Sequence, residues 1–105
     1  MAMLEGHWKV RRESGLLPPL GVSKRIGEGR GWTRLLGLPV AAFRVLERGP
    51  GRTLRYTVLP IRDELWPRED GGWDGRGLLL GREFCRFRLV PARGKAALAR
   101  HGGPS

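Results

Sequence analysis

At 105 residues, the chain is long enough for one domain with one modest core. It is 40% hydrophobic and 29% charged, a globular rather than disordered balance, and its longest apolar stretches, such as Leu78-Leu79-Leu80, are far too short to cross a bilayer as a helix. The formal charge is +10, carried by 17 Arg and only 3 Lys. An excess of this size attracts phosphates, nucleic acids and anionic surfaces. Arginine, glycine, alanine and proline are abundant while Asn and Gln are absent, so a GC-rich genome is a competing cause. The cations also form no block of five or six.

Glycine and proline divide the chain into pieces of six to ten residues, the spacing of an antiparallel β meander, sandwich or barrel. Leu4, Gly6, Trp8 and Val10 alternate with Glu5, His7, Lys9 and Arg11, which predicts a half-buried strand. Leu20, Val22 and Ile26 give a second candidate whose pattern Lys24 breaks. Trp32–Leu36 and Val40–Leu46 follow. Gly49-Pro50-Gly51 reads as a hairpin leading into Arg52–Ile61, where Leu54, Tyr56 and Val58 share a face. Asp63–Trp66 fits a short strand or a turn. Gly77–Leu80 and Arg82–Val90, bent at Gly81, complete the series. In the last strand Cys85, Phe87 and Leu89 form an apolar face, with Phe84, Arg86, Arg88 and Val90 opposite.

The expected fold is therefore all-β: an antiparallel meander of seven to nine short strands, residues 1–91, closing into a small barrel or a strongly curved sheet. Residues 92–105 form a tail, in which Lys95–His101 fit either a short helix stopped by Gly102 or a frayed end. The N-terminus lacks the basic and apolar runs of a secretion signal, and one cysteine forms no internal disulfide; the expected compartment is the cytoplasm.

Catalytic chemistry finds little support. No serine lies in a nucleophile elbow. One cysteine and two distant histidines, His7 and His101, do not make a zinc site, although a single axial histidine, His101 the freer, leaves haem open on count alone. The adjacent carboxylates Asp63-Glu64 and Glu69-Asp70 point to opposite faces of a strand and read as turn and solubility residues. The glycine clusters Gly27-x-Gly29-x-Gly31 and Gly71-Gly72-x-x-Gly75 lack the ending of a phosphate loop and read as hairpins.

Four tryptophans in so short a chain are the informative feature. They fill a core, or they line a cavity inside a closed sheet, since a barrel of about eight strands has room for one small ligand. The candidate lining is Trp32, Phe43, Tyr56, Trp73 and Phe87, with Arg44 placed to meet an acid group. A short barrel can equally be filled by its own side chains. The other binding surface is external: Arg30, Arg34, Arg55 and Arg76 facing RNA or single-stranded DNA. With Asn and Gln missing, such contact would be non-specific. Strand alternation is expected to place each arginine, Arg30 and Arg34 beside Trp32 included, on the face away from its aromatic neighbour, which favours rings inside and cations outside.

Leu4-Glu5-Gly6-His7-Trp8 is an L-x-G-x-W at the start of the first strand. In this it resembles the calycin superfamily, the lipocalins, fatty-acid-binding proteins and their relatives. The resemblance implies a barrel binding a small hydrophobic or amphipathic molecule without catalysis. It also implies that Trp8 plugs one end, with Arg86 or Arg88 of the last strand packed across the indole. Lys9 after the tryptophan, the missing disulfide pair and the short chain depart from the lipocalin pattern.

Overall fold

The computed structural model describes residues 3–18 and 20–92; the helix or tail predicted for residues 92–105 falls outside them, save Ala92. The chain runs as eight strands: β1 Gly6–Gly15, β2 Val22–Gly27, β3 Arg30–Leu35, β4 Leu38–Arg48, β5 Gly51–Tyr56, β6 Ile61–Pro67, β7 Trp73–Leu79 and β8 Arg82–Pro91. Each pairs antiparallel with the next, and β1 pairs with β8, so the meander closes into a barrel. Closure leaves the sheet with no unpaired edge. Irregularities between Arg12 and Ser14, Thr33 and Arg34, and Gly77 and Leu78 bend the strands at the point of curvature.

Period-two patterning sends one face of every strand inward. Leu4, Trp8, Val10, Ile26, Phe43, Leu54, Leu65, Trp73, Phe87 and Leu89 belong to one buried cluster, and Trp73, Phe43, Leu54, Leu65 and Leu89 are almost completely enclosed. Inner-face glycines make room for the rings. A Cβ on Gly75 would lie 2.5 Å from Phe87 Cε1 and 2.7 Å from Leu65 Cδ2, so the aromatic ring occupies the volume of the absent side chain. Gly75 therefore lies within β7 and not in the hairpin expected there, and β7 starts at Trp73, ahead of the expected start at Gly77. Gly81 does not merely bend a strand: at a φ of 83°, it sits in the turn that reverses the chain between β7 and β8.

Two charged residues break the apolar interior. Lys24, which spoiled the second strand's pattern, continues its inward face and is 3% exposed; Asp63, read as a turn or solubility residue, is 4% exposed on β6. Glu64 points outward, so the adjacent pair diverges as strand alternation requires. Lys24 Nζ lies 3.1 Å from Asp63 Oδ2 and donates to Thr33 Oγ1 at 2.6 Å and Tyr56 OH at 2.7 Å; the tyrosine hydroxyl donates to Asp63 at 3.0 Å. Burial alone would lower the Lys24 pKa, but the Asp63 charge and the Tyr56 hydroxyl outweigh it and hold the value above the ordinary lysine range. Burial raises the Tyr56 pKa, with Lys24 opposing it. The ammonium also lies 5.3–5.8 Å from the ring centres of Phe43, Tyr56 and Phe87. Four polar groups thus satisfy one another inside the barrel, as a buried charge requires.

Candidate functional site

The six candidate ligand residues separate into two groups. Phe43, Trp73 and Phe87 face inward and pack in the core, with Tyr56 half-buried beside them. Any occupant of the interior would have to displace these side chains. Trp32 and Arg44 are not part of the inner lining. Trp32 is 51% exposed and Arg44 is exposed, because both fall on the outward parity of their strands: the inward neighbours Gly31 and Phe43 pair with each other.

The arginine expected across Trp8 is absent from that place too. Trp8 is buried and donates from Nε1 to the carbonyl of Leu4 at 2.6 Å. Arg86 and Arg88 point outward. The register sets Arg88 opposite Arg11, and it pairs with Glu13 at 3.2 Å, while Arg86 pairs with Glu83 at 3.0 Å. Carboxylates on neighbouring outer positions hold both guanidinium groups away from the barrel end. Cys85 is buried, and burial pushes its thiol up, which suits an inert core residue.

The strongest polar arrangement lies on the outer wall. In the sheet register Arg30 of β3 stands opposite Arg44 of β4, Arg44 opposite Arg55 of β5, and Arg55 opposite Arg62 of β6. All four are exposed; Arg62 pairs with Glu64 at 3.4 Å, which leaves Arg30, Arg44 and Arg55 without an acidic partner among the described residues. Neighbouring strands are about 4.8 Å apart, so four guanidinium groups form a row across the barrel wall. One row along, Arg25 stands opposite Trp32 and Trp32 opposite Ala42. Thr57 continues this row, donating its amide to the Ala42 carbonyl at 3.1 Å. Arg30 and Arg44 of the first row and Arg25, Trp32, Ala42 and Thr57 of the second line an open cleft of about 930 Å³, which Glu28 also borders; Arg55 and Arg62 stand beyond it. The small Ala42 beside Trp32 leaves the indole accessible from the cleft.

The charge is arranged unevenly around the barrel. Across β6, β7, β8 and the adjacent part of β1, cations meet acids: Arg68 with Asp70 and Asp74, Arg76 with Glu64, Arg86 with Glu83, Arg88 with Glu13. Burial nudges Glu64 upward, but Arg76 and Arg62 prevail and hold its carboxyl below the usual range. Arg76, one of the predicted nucleic-acid residues, is thereby neutralised. On the β2–β5 wall, Arg25, Arg30, Arg44 and Arg55 form no ion pair among the described residues. Sequence reading found Arg30 and Arg55 singly, but not the row. It also paired Trp32 with arginines on the opposite face; residues 30, 32 and 34 share parity and all three side chains face out.

No group of His, Cys, Asp and Glu among the described residues is arranged to hold a metal ion. No protein-family model matches the chain, and no curated protein or solved structure matches it significantly.

Proposed function

We infer that this barrel is a non-enzymatic binding module for single-stranded nucleic acid, engaged by the outer wall of β2–β6. The observation that carries the reading is the row Arg30, Arg44, Arg55 and Arg62, placed in register on adjacent strands beside an exposed tryptophan. Cations directly opposite one another cost stability. Repeated phosphates compensate that cost, and an aromatic face accepts any base by stacking. The chain has neither Asn nor Gln to read adenine edges, so recognition follows charge and stacking rather than sequence.

A small amphipathic molecule with an acid group is the second reading, and one observation favours it: Trp32, Phe43 and Arg44 line the same cleft. Chain length separates the two. Fluorescence anisotropy with uridine monophosphate and oligouridylates of increasing length should give affinity that climbs with each added phosphate until the row is filled. Binding of the mononucleotide as tight as that of the longer chains would favour the small ligand. No binding to either would remove both.

A further inference from the structure

The two ends of the barrel differ in chemistry. The β1–β2, β3–β4, β5–β6 and β7–β8 turns lie at one end, and each exposes leucine or valine: Leu16 and Leu20, Leu36, Val58, and Leu80. These five side chains are 77–88% exposed. The β2–β3, β4–β5 and β6–β7 turns at the other end carry Glu28-Gly29, Gly49-Pro50 and Arg68–Gly72 instead. Backbone bonds link the β1–β2 turn to the β3–β4 turn and to β8, and the β7–β8 turn to the β5–β6 turn. Leu36 donates its amide to the Gly21 carbonyl at 2.7 Å, Leu16 to the carbonyl of Phe84 in β8 at 2.9 Å, and Leu80 to the Pro60 carbonyl at 3.0 Å.

Two tips hold their leucine against local preference. Leu36 and Leu80 both have a φ of 52°, the left-handed region where a turn before glycine favours Asn, Asp or Gly. The equivalent turn at the opposite end puts Glu28, at a φ of 55°, in that place. Exposed apolar groups kept at a conformational cost mark a surface that meets another apolar phase. Basic residues stand close behind: Arg34, two residues before Leu36 and bonded to the Gly37 carbonyl of the same turn, and Arg82, two residues after Leu80.

We propose that this end of the barrel docks on an anionic lipid bilayer, with the leucine and valine tips entering the interface and the arginines facing the headgroups. Interfacial binding of this kind combines buried apolar area with attraction to anionic lipid. The charge selects the partner: a second copy would bring its own arginines against these. It also limits depth, because an outer wall bearing Arg25, Arg44, Arg55, Glu64 and Arg76 does not enter hydrocarbon.

The test is cosedimentation of the protein with vesicles of phosphatidylcholine and phosphatidylserine, with phosphatidylcholine vesicles alone as comparison. The variant Leu36→Asn/Val58→Ser/Leu80→Asn changes only exposed turn residues and puts asparagine where the left-handed conformation suits it, so it folds. Wild type should bind the mixed vesicles more strongly than the neutral ones, and the variant should bind them roughly tenfold more weakly. Absence of wild-type binding, or equal binding by the variant, overturns the proposal. So does a wild-type dimer in sedimentation velocity that the variant turns into monomer, which would make the rim a self-association surface.

Discussion

Arg44 on β4 stands directly opposite Arg55 on β5, both exposed and neither with an acidic partner among the described residues. Like charges in this relation repel, and solvent reduces the penalty without removing it. Replacing Arg55 by Glu should therefore make the free protein slightly more stable, by about 0.3 kcal/mol. The same change should weaken oligonucleotide binding. Thermal melts and anisotropy on one preparation check both signs; a variant that loses stability and keeps affinity contradicts the role given to the row.

Trp32 should contribute to binding without supporting the fold. Its indole is half exposed on the outer wall, opposite Ala42. Trp32→Ala should cost about 1–3 kcal/mol of binding free energy for a stacked base, with little change in melting temperature. Trp73→Ala should do the reverse, because Trp73 is 1% exposed within the core. Comparing the pair separates a surface platform from a general loss of structure.

The Lys24–Asp63 pair should behave as a buried ion pair. Lys24→Met leaves Asp63 without its cation and should cost about 3–5 kcal/mol in denaturant unfolding. Lys24→Met/Asp63→Leu removes both charges and should recover most of that loss, since apolar replacement of a buried pair is often neutral. The pH sign follows from the raised Lys24 pKa. The stabilisation is complete below the unfolded lysine value and is lost only as pH rises through the higher folded value. Between neutrality and about pH 10, Lys24 should contribute no loss of stability.

Gly75→Ala tests the packed interior. The added methyl would overlap Phe87 and Leu65 from within a paired strand. Overpacking of this kind should destabilise by about 1–3 kcal/mol, read as a lower urea midpoint. An unchanged midpoint would mean spare room beside Phe87, and would reopen the interior as a ligand space.

The barrel was legible because its signals are local. Alternation at Leu4–Val10 and at Cys85–Leu89 fixes which side chains point inward, and short glycine-rich turns favour an antiparallel meander. Along the sequence Lys24 only breaks an apolar pattern and Asp63 reads as a turn residue; they make sense together, as partners from strands nearly forty residues apart. Its aromatic character suggests an inward Trp32, whereas its parity is set by the pairing of Gly31 with Phe43. The arginine row depends on register across four strands. No single segment contains it, so no reading along the chain could assemble it.

The most direct test of the nucleic-acid account is the salt dependence of oligouridylate binding by wild type and by Arg44→Glu/Arg55→Glu. The three row arginines without an acidic partner, Arg30, Arg44 and Arg55, predict that log K falls with log salt with a slope of about −2, and that the double variant binds more weakly with a slope nearer to −1. Wild-type binding that ignores salt, or the same slope in both proteins, would contradict it.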